Sequence, residues 1–153
     1  MLSEYRQKQG WEKTDAIIDR WLNQRHELLS AYYVLCDLPP FAEPETPKIE
    51  QLQTFCEVLI DYVSAGQFEV FEKIAEAQKK SEPTSLKFNS KLMEKILRTT
   101  VVFLDFNDKH SHAQEVIQPE TLKAELSKLG EVLANRFEYE NELISIYLKA
   151  TEH

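Results

Sequence analysis

The chain has 153 residues, 42% of them hydrophobic and 29% charged, and carries a formal net charge of −8 at pH 7. This length and composition are typical of one globular domain whose core needs no disulfide or metal. The acidic charge disfavours direct binding to DNA or to an anionic membrane, because both attract basic protein surfaces. The sequence has only 3 glycines, which favours helices over glycine-rich α/β or β-sandwich folds. We therefore expect a single helical domain over residues 1–153 that binds no nucleic acid and no membrane directly.

Apolar spacing predicts a first helix from about Thr14 to Leu35, preceded by a loosely attached N-terminal segment over residues 1–13. The apolar residues of this helix share one face: Ile18, Trp21, Leu28, Tyr32 and Leu35. Pro39 and Pro40 end the helix, because proline lacks a backbone hydrogen-bond donor and disfavours helix in the residue before it. The loop Pro39–Pro47 then carries four prolines. The second predicted helix runs from about Lys48 to about Lys80, with a weak point at Gly66.

A polar break over Lys79–Ser85 separates the second helix from a third, predicted over Asn89–Asn107. Within the third helix, Thr99–Phe103 has strand propensity, but the flanking apolar spacing is helical. We expect a loop over Asp108–Gln118 and a last helix over Pro119–Ala150, since proline is favoured in a first helical turn. About four long helices joined by loops predict an all-α fold, an antiparallel helical bundle.

Few residues in the sequence could carry catalytic or metal chemistry. His110 and His112 have the spacing of a metal pair, but no third ligand accompanies them, so we expect a solvated loop. His26, beside Arg25, is the one histidine placed on a helix face as a phosphotransfer residue would be. The sequence has no phosphate-binding glycine loop, no nucleophile elbow and no Glu-x-x-His pair. We predict a protein that is not an enzyme and holds no cofactor or metal.

The cysteines and the N-terminus indicate a cellular compartment. Cys36 and Cys56 lie among apolar helical residues, and we expect both to be reduced thiols in the core. The first ten residues are polar and lack the apolar core of a signal peptide. No apolar run approaches the length that spans a membrane. The sequence therefore predicts a cytoplasmic protein.

Three charged residues interrupt apolar stripes. Arg25 falls on the stripe of the first helix, and Arg136 and Glu140 fall on that of the last helix. A buried charge is costly unless it is paired, so these residues either form an internal polar network or line a polar cleft that receives a partner's side chains. We expect Arg25 to pair with a carboxylate of the last helix.

One polar face of the second helix carries an aromatic residue at its edge. Asp61, Ser64 and Phe68 stand at positions i, i+3 and i+7, which places them on one face, apart from the apolar stripe. A few desolvated aromatic side chains carry much of the binding energy of an interface, so this face is a candidate protein-binding site. The alternative is that Phe68 packs beside Phe71 and binds nothing.

Three separated blocks resemble the Rsd/AlgQ family, the regulators of sigma D. The resemblance runs from about residue 15 to 148 and is weak between Lys79 and Gln118. The matching residues are Ile18–Leu22, Arg25–Leu29 and Ala31–Tyr33 in the first helix; Phe55, Cys56, Asp61, Tyr62, Ser64–Gly66 and Phe68 in the second; and Leu129–Glu131, Ala134, Arg136 and Phe137 in the last.

The resemblance implies an anti-sigma factor. Family members bind the housekeeping (primary) sigma factor at its C-terminal domain, the module that reads the promoter −35 element, and keep it from core RNA polymerase as growth slows. Asp61, Ser64 and Phe68 match family positions that are associated with sigma contact. Some members also engage a phosphocarrier protein of the sugar phosphotransferase system. An alternative role is therefore a signalling adaptor that links nutrient status to an alarmone enzyme.

Overall fold

The computed structural model describes residue 11 and residues 16–37, 45–79, 83–112 and 119–150. These residues form five α-helices: α1 (Ala16–Asp37), α2 (Glu45–Ala65), α3 (Phe71–Lys79), α4 (Pro83–His110) and α5 (Pro119–Ala150). A π-helical turn over Gly66–Val70 joins α2 to α3. No β-strand occurs in these ranges, so the predicted all-α helical bundle is confirmed.

Contacts at both ends of α1 show that α1 and α5 run antiparallel. Tyr32, in the second half of α1, donates its hydroxyl to the backbone oxygen of Leu126 near the start of α5, at 2.7 Å. Trp11, which precedes α1, donates its Nε1 hydrogen to Ser145 Oγ near the end of α5, at 2.9 Å. Trp11 belongs to the segment predicted to be loosely attached, yet it is buried. The rest of residues 1–13 lies outside the described part of the chain.

The four long helices enclose one apolar core. α2 packs against both α1 and α4, and α5 packs against both α4 and α1. The core contains the largest fully buried apolar side chains, which come from α1, α2, α4 and α5: Trp21, Ile18, Leu28, Tyr62, Phe55, Leu52, Leu59, Phe103, Ile96, Leu129 and Leu133. Edge-to-face contact of Phe55 with Phe106, with ring centroids 5.8 Å apart, joins α2 to α4. Burial of these side chains is the main stabilising contribution to the bundle.

Three predicted loops were too long. α4 begins at Pro83, ahead of the predicted Asn89, because a proline in the first turn needs no hydrogen-bond donor. It ends at His110 and so includes residues predicted to be loop. α2 likewise begins at Glu45 and takes in Pro47 within its first turn. The Thr99–Phe103 run is helical, as its flanking spacing indicated.

The predicted weak point at Gly66 is a change in helix type. Five residues, Gly66–Val70, form a π-helical turn, in which backbone hydrogen bonds reach one residue further than in an α-helix. Gly66 is buried against α1, and a Cβ built on it would lie 3.3 Å from both Cζ2 and Nε1 of Trp21. Glycine at this position therefore lets the turn approach the indole ring closely.

The structure corrects two predictions about individual side chains. Cys56 is buried as expected, but Cys36 is exposed, because in the last described turn of α1 only Leu35 faces the core. His110 is buried and does not lie in a solvated loop. Helix α4 continues to His110, which follows Phe106 by four residues and so extends the same inward face. His112 follows in a turn and is exposed.

Candidate functional site

A buried carboxylate joins three helices near the middle of the bundle. Glu140 of α5 is 0% exposed. Its Oε1 accepts a hydrogen bond from Arg25 Nη2 of α1 at 3.1 Å and another from the hydroxyl of Tyr62 of α2. Its Oε2 accepts from Arg136 Nε at 2.7 Å, one helical turn earlier on α5. The pairing expected between Arg25 and a last-helix carboxylate is thus present.

Arg136 extends this network to α4. Its Nη1 donates to the backbone oxygen of Ile96 at 3.2 Å and to the hydroxyls of Thr99 and Thr100 at 2.9 and 2.8 Å. Arg25 in turn donates from Nη1 to Asn141 Oδ1 at 2.7 Å. One connected set of polar side chains, which we call the Glu140 network, therefore spans α1, α2, α4 and α5.

The Glu140 network carries an excess of positive charge. Two guanidinium cations, from Arg25 and Arg136, face one carboxylate, and both arginines are at least nine-tenths buried. Among the described residues, no acceptor lies within hydrogen-bond reach of Arg136 Nη2. Aromatic rings stabilise both cations, with Arg25 Cζ 4.8 Å from the Phe137 centroid and Arg136 Cζ 5.7 Å from that of Phe103.

Burial raises the pKa of Tyr62 well above its ordinary value, and the charge of Glu140 raises it further. The phenol therefore stays protonated and donates its hydrogen to the carboxylate at every physiological pH. A network this buried, in which every charge is paired or placed against a ring, is suited to hold helices in register. It contains no group poised to react with a substrate that enters from solvent.

Two of the three residues predicted to contact a partner are exposed. Asp61 and Ser64 both lie on the outer surface of α2, one helical turn apart. Tyr62, between them, points inward to the Glu140 network, so the network fixes the rotation of α2 that turns Asp61 and Ser64 outward. We call the surface of Asp61 and Ser64 the α2 face.

The side chain of Phe68 lies outside the described part of the structure. Its backbone belongs to the π-helical turn, which begins between Ser64 and Phe68. The i, i+3, i+7 spacing puts Phe68 on the same face as Asp61 and Ser64 only in an uninterrupted α-helix, and the α-helix is interrupted from Gly66 onward. The turn is fastened to α1 by an exposed ion pair, with Arg20 Nη1 3.3 Å from Glu69 Oε2.

Several members of the Glu140 network are not identified by the spacing of charges on apolar stripes. Tyr62 continues the apolar spacing of Phe55 and Leu59, so its position alone placed it toward the core. Thr99 falls within the predicted third helix, but nothing in the sequence indicated that its hydroxyl accepts a hydrogen bond from Arg136. Such contacts between residues of different helices depend on how the helices pack, and the spacing of residues within one helix does not determine that packing.

None of the helices that the structure describes combines the length and the hydrophobicity that a membrane span requires. Within the described ranges, no three His, Cys, Asp or Glu side chains are grouped so that they could hold a metal ion.

Comparison with known proteins places the chain in a family. The family described as "Regulator of RNA polymerase sigma(70) subunit, Rsd/AlgQ" matches residues 1–147. Among individual relatives, the "Regulator of sigma D" of Sodalis glossinidius is 36% identical over 132 residues, which cover 84% of this chain and 85% of that protein. That of Enterobacter sp. (strain 638) is 32% identical over 139 residues, with 88% and 82% covered. That of Yersinia pseudotuberculosis serotype O:1b is 28% identical over 135 residues, with 86% and 79% covered. The chain therefore belongs to the Rsd/AlgQ family of regulators of the RNA polymerase sigma(70) subunit.

Proposed function

We propose that this chain is an anti-sigma factor, which binds the housekeeping sigma factor in the cytoplasm and keeps it from core RNA polymerase in stationary phase. The observation that carries the proposal is membership of a family of sigma(70) regulators, matched over residues 1–147. Relatives that bear the name "Regulator of sigma D" share most of their length with it. The sigma domain concerned is the C-terminal one, which reads the promoter −35 element.

The charge of the chain supports this choice of partner. A module that reads DNA presents basic side chains to the phosphate backbone. An acidic protein, here with a net charge of −8, is attracted to such a surface over long distances and competes with DNA for the same cations. The chain then blocks promoter recognition by occupying the DNA-reading surface, without a chemical step.

The α2 face, together with Phe68, is the proposed contact. Asp61 is an exposed carboxylate that can pair with a sigma arginine, and Ser64, one turn away, can hydrogen-bond beside it. Phe68 supplies the apolar area that an interface of this kind needs at its centre. The Glu140 network supports this surface from below, because it holds α2 in one orientation through Tyr62.

Isothermal titration of the chain against the isolated C-terminal sigma domain tests the site. We expect Asp61→Asn and Phe68→Ala each to weaken binding at least tenfold, through lost charge pairing and lost packing respectively. Glu138→Gln is the matched control, since it removes an exposed carboxylate from α5 and should leave the affinity within twofold. Equal affinities for wild type and both α2-region variants would refute the site.

The alternative partner, a phosphocarrier protein, is examined by the same titration with that protein as titrant. Saturable binding to the phosphocarrier without binding to any sigma domain would replace the anti-sigma proposal by the signalling-adaptor role.

A further inference from the structure

We infer that the outer surface of α4 is a self-association surface, on which the α4 of a second copy of this chain packs antiparallel. Three large apolar side chains are exposed there: Leu97 is 48%, Val101 57% and Leu104 43% exposed. They are spaced by four and three residues, so they form a single stripe along the helix, which we call the α4 stripe.

The α4 stripe is not needed for the fold of one chain. The opposite side of α4 carries the residues that face the core, among them Ile96 and Phe103, both 0% exposed. Those residues already fill the contacts of α4 with α2 and α5. A spacing of four and three is that of a seam between paired helices, where apolar residues of one helix insert between those of its partner. A contiguous exposed apolar stripe on a helix thus fits a second helix.

Charges beside the stripe favour a second copy as the occupant. Arg98 and Asp105 are exposed and lie on the same flank of the α4 stripe. Arg98 precedes Val101 by three residues and Asp105 follows it by four, so the two charges stand nearly symmetrically about the centre of the stripe. When a two-fold axis packs the two stripes antiparallel, one flank of the stripe lies against the same flank of the other copy, and the two helices run in opposite directions. Arg98 of each copy then lies beside Asp105 of the other.

Other pairings of two copies lack this match. A parallel two-fold arrangement would bring opposite flanks of the stripes together, so Arg98 of one copy would lie away from both Arg98 and Asp105 of the other and the pairing would be lost. A second opposite pair, Glu94 and Lys109, repeats the antiparallel pattern further from the centre. Lys109 Nζ also lies 3.0 Å from Glu125 Oε1 of its own chain, so Arg98 and Asp105 give the clearer signal.

The dimer that this surface supports is weak. Three half-exposed apolar side chains per copy fall well short of the roughly 800 Å² per partner that stable complexes bury. The net charge of −8 on each copy adds long-range repulsion that salt screens. Self-association should therefore rise with ionic strength and be visible mainly at high protein concentration. The surface lies on α4 and not on the α2 face, so the inference is independent of sigma binding.

Sedimentation equilibrium of the full chain over a concentration series, at low and moderate salt, tests the inference. Wild type should show a monomer–dimer equilibrium. Val101→Lys should weaken the dimer at least tenfold, because it places a charge at the centre of the stripe. The matched control is Val34→Lys, which changes an equally exposed valine on α1 and should leave the equilibrium unchanged.

Charge reversal distinguishes this packing from non-specific association. Arg98→Asp alone should weaken the dimer, since each copy then presents two aspartates to the other, and the double variant Arg98→Asp/Asp105→Arg should restore it. Far-UV circular dichroism confirms that each variant is folded, which is expected because all four substituted positions are exposed. A wild-type chain that stays monomeric at millimolar concentration would overturn the inference. A double variant no stronger than Arg98→Asp, or a Val101→Lys chain that dimerises like wild type, would do the same.

Discussion

Replacement of Glu140 by glutamine should destabilise the bundle more than removal of either arginine's hydrogen bonds alone. Among the described residues, Glu140 is the one carboxylate that faces two buried guanidinium groups, at 3.1 Å from Arg25 Nη2 and 2.7 Å from Arg136 Nε. Glutamine keeps the size and an acceptor oxygen but removes the negative charge. Two cations would then be buried in the middle of the bundle without an anion.

The expected cost follows from that charge imbalance. Breaking a buried ion pair by removing one partner costs about 3–5 kcal/mol. Arg25→Met should cost only about 1–3 kcal/mol, because it removes hydrogen bonds and leaves Arg136 and Glu140 as a balanced pair. Combining Arg25→Met with Glu140→Gln should cost less than the sum of the two single changes, since only one cation then remains buried.

Urea unfolding followed by far-UV circular dichroism measures these differences. With a slope of about 2 kcal/mol per molar urea for a domain of this size, Glu140→Gln should lower the midpoint by about 1.5–2.5 M. Glu142→Gln is the matched control, because it makes the same change at an exposed position of α5 and should shift the midpoint little. Equal destabilisation by Glu140→Gln and Arg25→Met, or strict additivity in the double variant, would refute the charge argument.

Three further outcomes test other parts of the structure. Gly130→Ala should destabilise the chain by about 1–3 kcal/mol, because the new Cβ would overlap the Tyr32 hydroxyl and lie 3.0 Å from Tyr32 Cζ. In a Tyr32→Phe background the same alanine should be markedly less destabilising. An unchanged urea midpoint in the Gly130→Ala variant would contradict the packing. A thiol reagent should label the exposed Cys36 in the folded protein and Cys56 only after unfolding, because Cys56 is buried and burial raises the pKa of its thiol to about 11. Equally fast labelling of both thiols in the native protein would contradict this prediction. Burial lowers the pKa of His110 below its ordinary 6.5, so below that pH the unfolded chain binds a proton that the folded chain does not bind. The free energy of unfolding should therefore decrease as the pH falls from about 7 to 5. Urea titrations at the two pH values should show a smaller decrease for His110→Gln than for wild type, and an unchanged decrease would exclude this histidine as the cause.

Much of the bundle could be predicted because its signals are local. The last helix was predicted over Pro119–Ala150, the bounds that the structure has, since its apolar stripe is long and begins with proline. Arg25 and Glu140 were recognised as charges on apolar stripes, and the high cost of an unpaired buried charge was enough to expect a pairing. Here the physical rule needed only the position of each residue within its own helix.

The missed features depend on contacts between helices. The π-helical turn at Gly66 accompanies the close approach of this backbone to Trp21, which no spacing within α2 encodes. Cys36 was expected in the core from its apolar neighbours, but of those neighbours Leu35 is buried while Val34 is 53% exposed, and Cys36 lies on the exposed side of α1 with Val34. His110 was assigned to a loop because its neighbours in the sequence are polar, although it follows Phe106 by four residues. In the structure the imidazole packs on Phe106, with the ring centroids 4.5 Å apart.

The central claim, that this member of the Rsd/AlgQ family sequesters the housekeeping sigma factor through the C-terminal domain, is tested most directly by titrating the chain against each isolated sigma domain. We predict saturable binding to the C-terminal domain at one chain per domain. Binding should weaken as the salt concentration increases, and promoter −35 DNA should compete with the chain for the sigma domain. The claim would be contradicted if the chain did not bind that domain. It would also be contradicted if the sigma domain, while bound to the chain, still bound −35 DNA at full affinity.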